Sequence, residues 1–345
     1  MAEPKRVFLH IGAPKTGTTF LQKVLANNRD AMEAAGVLYP RVGREAHHSA
    51  VWSVRGTFAN TDRGATFADH WPRLVRQSRA WPGHTVVISS ELFCFSRRRK
   101  IAEIVGAFGG AQVHIVYTAR DLMRQVPAVW QEQVKNREVM TYRDYLADVL
   151  GRRRSPLATM FWNSQDVPDV LRRWSRGLDP TCVHVVTAPP VGAPADLLWS
   201  RFATVVGLQA DAYPSGLPAA NTSLSITAAE TLRRFNVRHA ADLPILDYRR
   251  LVRRRLDPAF AATLQDGARL PLTPGQCDAI VDLSERMVRR LRRAGYDVVG
   301  SLDELVPQRP VGAGTPPGRG PDDLTDSELV DALTDVLDYL LRRPR

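Results

Sequence analysis

The 345-residue sequence predicts an α/β fold, with a central parallel β-sheet flanked by helices. Short β-branched runs alternate along the chain with stretches of helical periodicity, which is typical of parallel strands joined by crossover helices. The runs are almost continuously apolar, as expected of strands that are covered on both faces. A loop containing glycine and proline joins the first run to the first helix, and such a connection is suited to binding an anion.

Four apolar runs are the candidate core strands, and helical stretches follow them along the chain. The candidate strands are 6–11, 85–89, 113–118 and 183–187. The candidate helices are about 18–34, 98–107, 121–135 and 165–176.

Three capping boxes, each a Thr followed three residues later by Glu or Gln, mark further helix starts. The second of them opens a helix over 274–294, which has a proline at its first position and Gly295 just beyond its end. The boxes are Thr227 with Glu230, Thr273 with Gln276, and Thr325 with Glu328.

The proline and glycine content divides the chain into a main α/β domain and a terminal helix. We expect the domain over 1–306, a linker over 307–321 and an amphipathic helix over 322–345. An isolated helix of this length is marginal in water, so it should dock on the main domain or on a partner. The sequence does not choose between them, and the helix is a candidate contact for a homo-oligomer.

Composition excludes several classes of protein. Apolar residues make up 44% of the chain, which excludes a disordered or collagen-like protein. No apolar run approaches the roughly 18 residues of a membrane span, and the first residues lack the pattern of a secretory signal. The three cysteines are too widely separated to form a disulfide framework or a metal cluster. We therefore expect a reduced cytoplasmic protein.

The net charge of +11 points to an anionic ligand without identifying it. Of the 47 basic residues, 42 are arginine and only 5 are lysine. Clustered cations would suit nucleic acid, but most of the basic runs lie on helical patterns and are expected to be solvated faces. Nucleic-acid binding is therefore the weaker interpretation of the charge.

The most informative segment is the loop between the first strand and the first helix, Gly12-Ala-Pro-Lys-Thr-Gly-Thr-Thr. Gly12 and Gly17 have the spacing of the nucleotide-triphosphate loop GxxxxGK[ST], and Thr19 occupies its Ser/Thr position. The residue before Thr19 is a threonine, however, and the lysine lies earlier in the loop, at Lys15. A lysine there would lie beside a shorter anion, so the loop suits a 5′-phosphate and its leaving-group oxygen better than a triphosphate–metal unit.

This loop resembles that of sulfotransferases that use 3′-phosphoadenosine 5′-phosphosulfate (PAPS). The resemblance implies a P-loop NTPase-like sulfotransferase architecture, PAPS as the co-substrate, adenosine 3′,5′-bisphosphate (PAP) as the product, and no metal. In that family the loop lysine contacts the sulfuryl group and the bridging oxygen, and the residues that follow it bind the 5′-phosphate. The positions carried across are Pro14, Lys15, Thr16, Gly17, Thr18 and Thr19.

A second mark of the family is a strand followed by an arginine and, eight residues later, a serine, which bind the nucleotide 3′-phosphate. Here the strand ends at Arg120, and the position eight residues later is Ala128. Three polar residues nearby are candidates to replace the missing hydroxyl: Arg124, Gln125 and Gln131. The resemblance covers about residues 6–135, and no equivalent of the late Arg-Lys-Gly loop of the cytosolic branch is present.

Sulfuryl transfer to a hydroxyl needs a base, and two candidates are present. Glu91 follows the strand 85–89, where the carboxyl end of a parallel strand would place it in the same crevice as Lys15. In related sulfotransferases a histidine takes that place. His47 and His48, expected in a loop between Pro40 and Val51, are the competing base or an acceptor-binding element. Alternatively, Glu91 has no catalytic role and is either solvated or paired with Lys15.

No motif in the sequence identifies the acceptor. It could be a carbohydrate, a lipid, a phenol or a small natural product. The segment Asn221-Thr222-Ser223 and three tryptophans, Trp52, Trp81 and Trp130, are possible pocket residues. The sequence thus favours transfer of a sulfuryl group from PAPS to a hydroxyl, with catalytic residues Lys15 and Glu91. A P-loop kinase or NTPase is the alternative enzyme, and a basic nucleic-acid-binding protein is the alternative binding protein.

Overall fold

Six parallel strands form one sheet, which confirms the fold class expected from the sequence. The order of the strands across the sheet is β2-β3-β1-β4-β5-β6. The strands are β1 (Arg6–His10), β2 (Val37–Leu38), β3 (Thr85–Ser89), β4 (Gln112–Ala119), β5 (Val183–Thr187) and β6 (Asp297–Val299).

The structure is a computed structural model that describes residues 4–43, 47–58, 62–216, 223–239, 242–264, 270–308 and 318–342. The chain divides into two units, each made of three segments. The first unit falls within 1–122, 162–218 and 283–307 and contains the sheet. The second unit falls within 123–161, 219–282 and 308–345.

The four predicted strands are confirmed, with small differences at their ends. Every residue of β3 and β5 is buried, as the continuous apolar runs predict for strands covered on both faces. The first strand ends one residue earlier than expected, and β4 is one residue longer at each end. The two edge strands, β2 and β6, were not predicted because two or three residues are too few to show a pattern.

Sixteen α-helices lie in the described part of the chain. The predicted helix over 18–34 is two helices, because the backbone of Asn28 departs from helical geometry. The helices are α1 (Thr18–Asn27), α2 (Arg29–Ala34), α3 (His48–Arg55), α4 (Asp62–Phe67), α5 (His70–Ala80), α6 (Arg98–Gly106), α7 (Leu122–Lys135), α8 (Tyr142–Leu150), α9 (Pro156–Gln165), α10 (Val167–Trp174), α11 (Leu197–Val206), α12 (Ile226–His239), α13 (Ile245–Leu251), α14 (Asp257–Thr263), α15 (Pro274–Ala294) and α16 (Asp326–Arg342).

Two of the three predicted capping boxes are present, at the starts of α15 and α16. The third prediction was wrong, because α12 begins at Ile226, before Thr227. The Ser225 hydroxyl accepts a hydrogen bond from the Ala228 amide at 3.0 Å and serves as the cap. Glu230 is buried and accepts two hydrogen bonds from the Arg233 guanidinium, so its carboxylate is not used at the helix start.

The first unit packs α1 and α11 against one face of the sheet. Their apolar residues form a cluster with the sheet residues of that face. The buried imidazole of His10 lies on the same face, between the Ser89 hydroxyl at 2.8 Å and the Thr118 hydroxyl at 3.2 Å. Burial lowers the pKa of His10 to about 3, so this ring is neutral.

Two further histidines lie side by side in the same sheet. His114 on β4 and His184 on β5 stack and share a hydrogen bond of 2.9 Å, and His184 bonds the Asp297 carboxylate at 2.7 Å. Burial, with His184 and Arg6 nearby, lowers the pKa of His114 to about 4. The sheet therefore contains imidazoles that are neutral in the folded protein at neutral pH.

The second unit is helical and has a polar centre. The buried Asn236 amide donates to the Val134 and Glu138 carbonyls, and its oxygen accepts from the Tyr248 hydroxyl at 2.6 Å. These bonds satisfy groups that would be costly to bury unpaired. They fix α12 against the end of α7 and the start of α13 within this unit.

The terminal helix α16 packs within the second unit, against α12 and α14. Its buried face is Leu329, Ala332 and Val336. Just before it, the Asp322 carboxylate accepts hydrogen bonds from the first two amides of α8. A second apolar row on α16 is exposed and comprises Val330, Leu333, Leu337 and Leu341. Residues 309–317 of the expected linker lie outside the described residues.

None of the helices in the described ranges has both the length and the apolarity that crossing a membrane would require.

The buried histidines make the stability depend on pH. An unfolded imidazole has a pKa near 6.5, whereas the folded pKa values of His10 and His114 are about 3 and about 4. The unfolded chain therefore binds more protons below about pH 6.5, and each buried histidine costs up to about 1.4 kcal/mol of stability per pH unit. We expect the melting temperature to fall between pH 7 and pH 4.5, as measured by circular dichroism.

His10→Asn should make this pH dependence shallower, even if its melting temperature at pH 7 is lower. His84, which is exposed, provides the matched control, and His84→Asn should leave the slope unchanged. Equal slopes for the wild type and His10→Asn would contradict the assignment.

Candidate active site

The loop between β1 and α1 has an unusual backbone. Lys15 adopts φ 67°, in the left-handed region that a side chain disfavours. Gly12 and Gly17 also have positive φ values, of 127° and 95°. A non-glycine residue in this conformation persists only where its surroundings hold it there, and such positions cluster at functional sites.

Hydrogen bonds from β4 hold the loop. The Thr118 hydroxyl bonds the Gly12 carbonyl at 2.8 Å and the Thr16 hydroxyl at 2.6 Å. Two backbone bonds join Thr118 to Gly12 and Ala13, at 2.6 Å and 2.9 Å. The Thr16 hydroxyl also donates to the Ala13 carbonyl at 2.7 Å. Thr16 is buried, and these contacts engage its hydroxyl.

The loop ends at Gly17, which is the N-cap residue of α1. Among the described residues no side chain caps this helix, and its first turn carries no acidic residue. Thr18 is buried and Thr19 is exposed. Backbone N–H groups and the positive end of the helix dipole therefore lie where the sequence predicts an anion.

Arg120 follows β4 directly and contacts the loop. Its Nη1 donates to the Lys15 carbonyl oxygen at 3.1 Å, so Arg120 supports the left-handed backbone of Lys15. The Pro14 carbonyl accepts from the Gln165 amide at 3.3 Å. Lys15 and Pro14 themselves are half-buried.

The residues proposed to replace the missing serine lie on α7. Ala128 and Arg124 are half-buried, and Gln125 is buried. The Gln131 side chain donates to the Leu224 carbonyl at 2.7 Å, so this donor is already used within the second unit.

Glu91 lies beside the loop. It opens a short 3-10 helix, Glu91–Phe95, immediately after β3 and Ser90. A Cβ placed on Gly12 would be 3.4 Å from the Glu91 Cα, so the two backbones are in close contact. The Cys94 amide donates to the Ile11 carbonyl, and the Cys94 thiol donates to the Glu91 carbonyl at 2.9 Å. Burial raises the pKa of the Cys94 thiol, which keeps it protonated.

The Glu91 carboxylate meets two side chains. Its Oε2 accepts a hydrogen bond from the Gln22 amide at 2.9 Å. Its Oε1 is 3.9 Å from the His48 Nε2, beyond hydrogen-bond distance. The Glu91 side chain is 20% exposed, so the carboxylate is accessible to a ligand. Gln22 was not predicted as a site residue, although a polar residue among apolar neighbours on a helix was a usable signal.

The two neighbouring histidines have different environments. His47 lies outside a helix as expected, but His48 does not, because α3 begins at His48. His47 is fully buried, its Nδ1 accepts from the Ser89 amide at 3.0 Å, and its Nε2 donates to the Pro40 carbonyl at 2.9 Å. Burial lowers the pKa of His47 to about 4. Both nitrogens of His47 are occupied, so it is a structural residue in this arrangement.

His48, by contrast, is half-buried and faces Glu91. Its Nδ1 bonds the Ser90 hydroxyl at 2.8 Å, and its Nε2 is the atom nearest the Glu91 carboxylate. The ring of Trp52 lies 6.4 Å from the His48 ring, and it packs in turn on Phe58 and Phe67. Of the two histidines, His48 is the one that the structure brings to the candidate site.

Of the other possible pocket residues, Trp81 lies in the first unit, and Trp130 and Ser223 lie in the second. The Trp81 indole faces the Gly36 carbonyl, and the buried Trp130 indole donates to the Met140 carbonyl at 3.1 Å. Asn221 and Thr222 lie outside the described residues, and Ser223 is exposed.

A cavity of about 420 Å³ lies at the opposite edge of the sheet, by the amino ends of the strands. Lys5 lines it together with Val7 and Phe108, but the Lys5 ammonium is bonded to the Ser78, Arg79 and Trp81 carbonyls. This cation serves as a cap for the end of α5.

Within the ranges that the structure describes, no group of three or more His, Cys, Asp or Glu side chains is arranged to hold a metal ion.

Comparison with known proteins yields one structural likeness. No family model matches the sequence, and a search of the curated proteins found no match. A crystal structure of a sulfotransferase from Alicyclobacillus acidocaldarius is similar in structure, with a TM-score of 0.41 and 16% identity. The likeness covers 73% of this chain and 96% of that one. What this chain does must therefore be inferred from its own side chains.

The packing at Gly17 leads to a test of the loop. Alanine there would keep a disfavoured φ and place its Cβ 2.3 Å from the Leu198 Cδ2, which is buried. We expect Gly17→Ala to lower the free energy of unfolding by about 2–4 kcal/mol, measured by chemical denaturation.

Gly56→Ala is the matched control, because Gly56 has φ 69° but nothing within 4 Å of an added Cβ. It should cost about 1–2 kcal/mol from the backbone alone. Adding Leu198→Ala to Gly17→Ala should cost less than the sum of the two single changes. Strict additivity would show that the close approach to Leu198 has no energetic effect.

Proposed function

We propose that this protein is a sulfotransferase that moves a sulfuryl group from PAPS to a hydroxyl of an acceptor. The observation that carries the proposal is the loop, in which Lys15 is held in a left-handed conformation between β1 and α1, with Glu91 packed against Gly12. A cation and a carboxylate at one edge of a parallel sheet are the two groups that such a reaction needs. The resemblance of the loop to those of PAPS-dependent enzymes supports the choice of donor.

On the donor side, the loop and helix would bind the 5′-phosphosulfate. The N–H groups of Thr18 and Thr19 and the exposed Thr19 hydroxyl are suited to the 5′-phosphate. Lys15 would neutralise charge that develops on the bridging oxygen as the bond from sulfur to that oxygen breaks. We assign Arg120 to the 3′-phosphate, because it follows β4 directly and its Nη1 donates to the Lys15 carbonyl of the loop.

On the acceptor side, Glu91 would be the base. Its Oε1 takes the hydroxyl proton while the acceptor oxygen forms a bond to sulfur, and PAP leaves with the electrons of the broken bond. His48, 3.9 Å from Oε1, is placed to contact the acceptor oxygen. His47 would not act as the base, because both of its ring nitrogens are already engaged.

A thermal-shift experiment tests the donor class. We expect PAP to raise the melting temperature without added metal, because a ligand that binds the folded state stabilises it. ATP with Mg²⁺ should have a smaller effect, and a mixed-sequence oligonucleotide should have none at 150 mM salt. Stabilisation by ATP–Mg²⁺ alone would indicate a P-loop kinase or NTPase, and stabilisation by the oligonucleotide alone would indicate a nucleic-acid-binding protein.

Two substitutions test the chemistry. With PAPS and an acceptor found by screening hydroxyl compounds, Lys15→Ala should reduce kcat by on the order of 10²–10³, the effect of removing one preorganised donor. Glu91→Gln should reduce kcat by about 10²–10⁴ while leaving PAP affinity within about twofold. PAP release is the measured quantity for both.

Lys23→Ala is the matched control for the loop cation, because Lys23 is an exposed lysine on α1, the helix that follows the loop. It should retain near-normal turnover. Near-normal turnover by Lys15→Ala would contradict the mechanism.

A further inference from the structure

Gln22 is a buried amide on α1, where most of the other buried residues are apolar. It is 9% exposed, and its buried neighbours on α1 include Leu21, Val24 and Leu25. A buried amide costs free energy unless it is hydrogen-bonded, and here its Nε2 donates to Glu91 Oε2 at 2.9 Å. Its partner is thus the carboxylate that we propose as the base.

The hydrogen bond makes the two oxygens of Glu91 different. Oε2 is held by Gln22. Oε1 makes no hydrogen bond to any described residue and faces His48 Nε2 at 3.9 Å. An N–H donor favours the ionised form of a carboxylate, and with Oε2 occupied the carboxylate can turn only by losing that bond. Oε1 is therefore the oxygen that can accept a proton.

The helix that carries Gln22 also carries the proposed phosphate contacts. Thr18 and Gln22 are four residues apart on α1, so they lie on the same face one turn apart. The backbone of Glu91 is in turn packed against Gly12 of the loop. A single rigid element thus sets the positions of both the anion site and the carboxylate.

We propose that Gln22 is a positioning residue for sulfuryl transfer: it holds Glu91 through Oε2 and presents Oε1 to the acceptor hydroxyl. This role rests on the proposed function. The donor-side groups do not involve the Gln22 amide, so PAP binding should be insensitive to its replacement. The pH dependence of turnover, in contrast, should respond.

Gln22→Leu and Gln22→Glu test the role, and both should raise the midpoint, by different amounts. Leu keeps a similar volume without the donor, and we expect the midpoint of the acidic limb of the kcat–pH profile to rise by roughly half to one pH unit. Glu puts a second carboxylate 2.9 Å from the first, and we expect a rise of more than about one unit. PAP affinity, measured by calorimetry, should stay within about twofold in both.

Lys23→Leu and Lys23→Glu are the matched controls, since they make the same replacements at the adjacent exposed position. Neither should move the midpoint. Circular dichroism checks that each variant is folded. Carbon-13 NMR of the glutamate carboxyls measures the same midpoint without turnover. The chain has eleven glutamates, and the Glu91→Gln variant identifies the Glu91 signal among them.

The outcomes separate the two proposals. If the wild type is active and neither Gln22 variant moves the midpoint, the positioning role alone is overturned. This holds even if kcat falls, because a merely structural role would lower kcat without moving the midpoint. Absence of sulfuryl transfer by the wild type to every acceptor screened would overturn the proposed function and this role with it. A shifted midpoint in both kcat and carbon-13 profiles establishes the role.

Discussion

The candidate site depends on the Thr118 hydroxyl. β4 extends past the end of β1, and Thr118 lies in that extension, where it reaches the Gly12 carbonyl and the Thr16 hydroxyl. The Thr118 hydroxyl donates its one proton to the Gly12 carbonyl, so in its 3.2 Å contact with His10 the proton comes from the His10 Nε2. The left-handed Lys15 lies between the two loop positions that Thr118 binds. The length of one strand thus fixes the shape of the neighbouring loop.

The end of β3 is held by three imidazoles. The Ser89 hydroxyl bonds His10, and the Ser89 amide donates to His47. Ser90, the next residue, bonds His48. Three histidines from two separate segments therefore fix the two residues that precede Glu91. Burial lowers the pKa of His10 to about 3 and that of His47 to about 4, so these two rings are uncharged at neutral pH.

Sequence patterns predicted the structural features that depend on residues close together in the chain. Continuous apolar runs predicted the four long strands, and glycine spacing with Lys15 singled out the loop between β1 and α1, where Lys15 has φ 67°. Features that depend on tertiary contacts could not be predicted. Nothing local distinguishes His47 from His48, yet only one of them reaches Glu91. Glu230 matched a capping pattern, but Arg233 competes for its carboxylate in the folded unit.

The buried thiols have a practical consequence for spectroscopy. Cys94, Cys182 and Cys277 are the only cysteines of the chain, and all three are buried. Maleimide reagents should therefore react slowly with the folded wild type. One cysteine introduced on the surface would then carry a fluorophore or a spin label at a single defined position. The anion loop and the terminal helix can be labelled separately in this way, with every native thiol left in place.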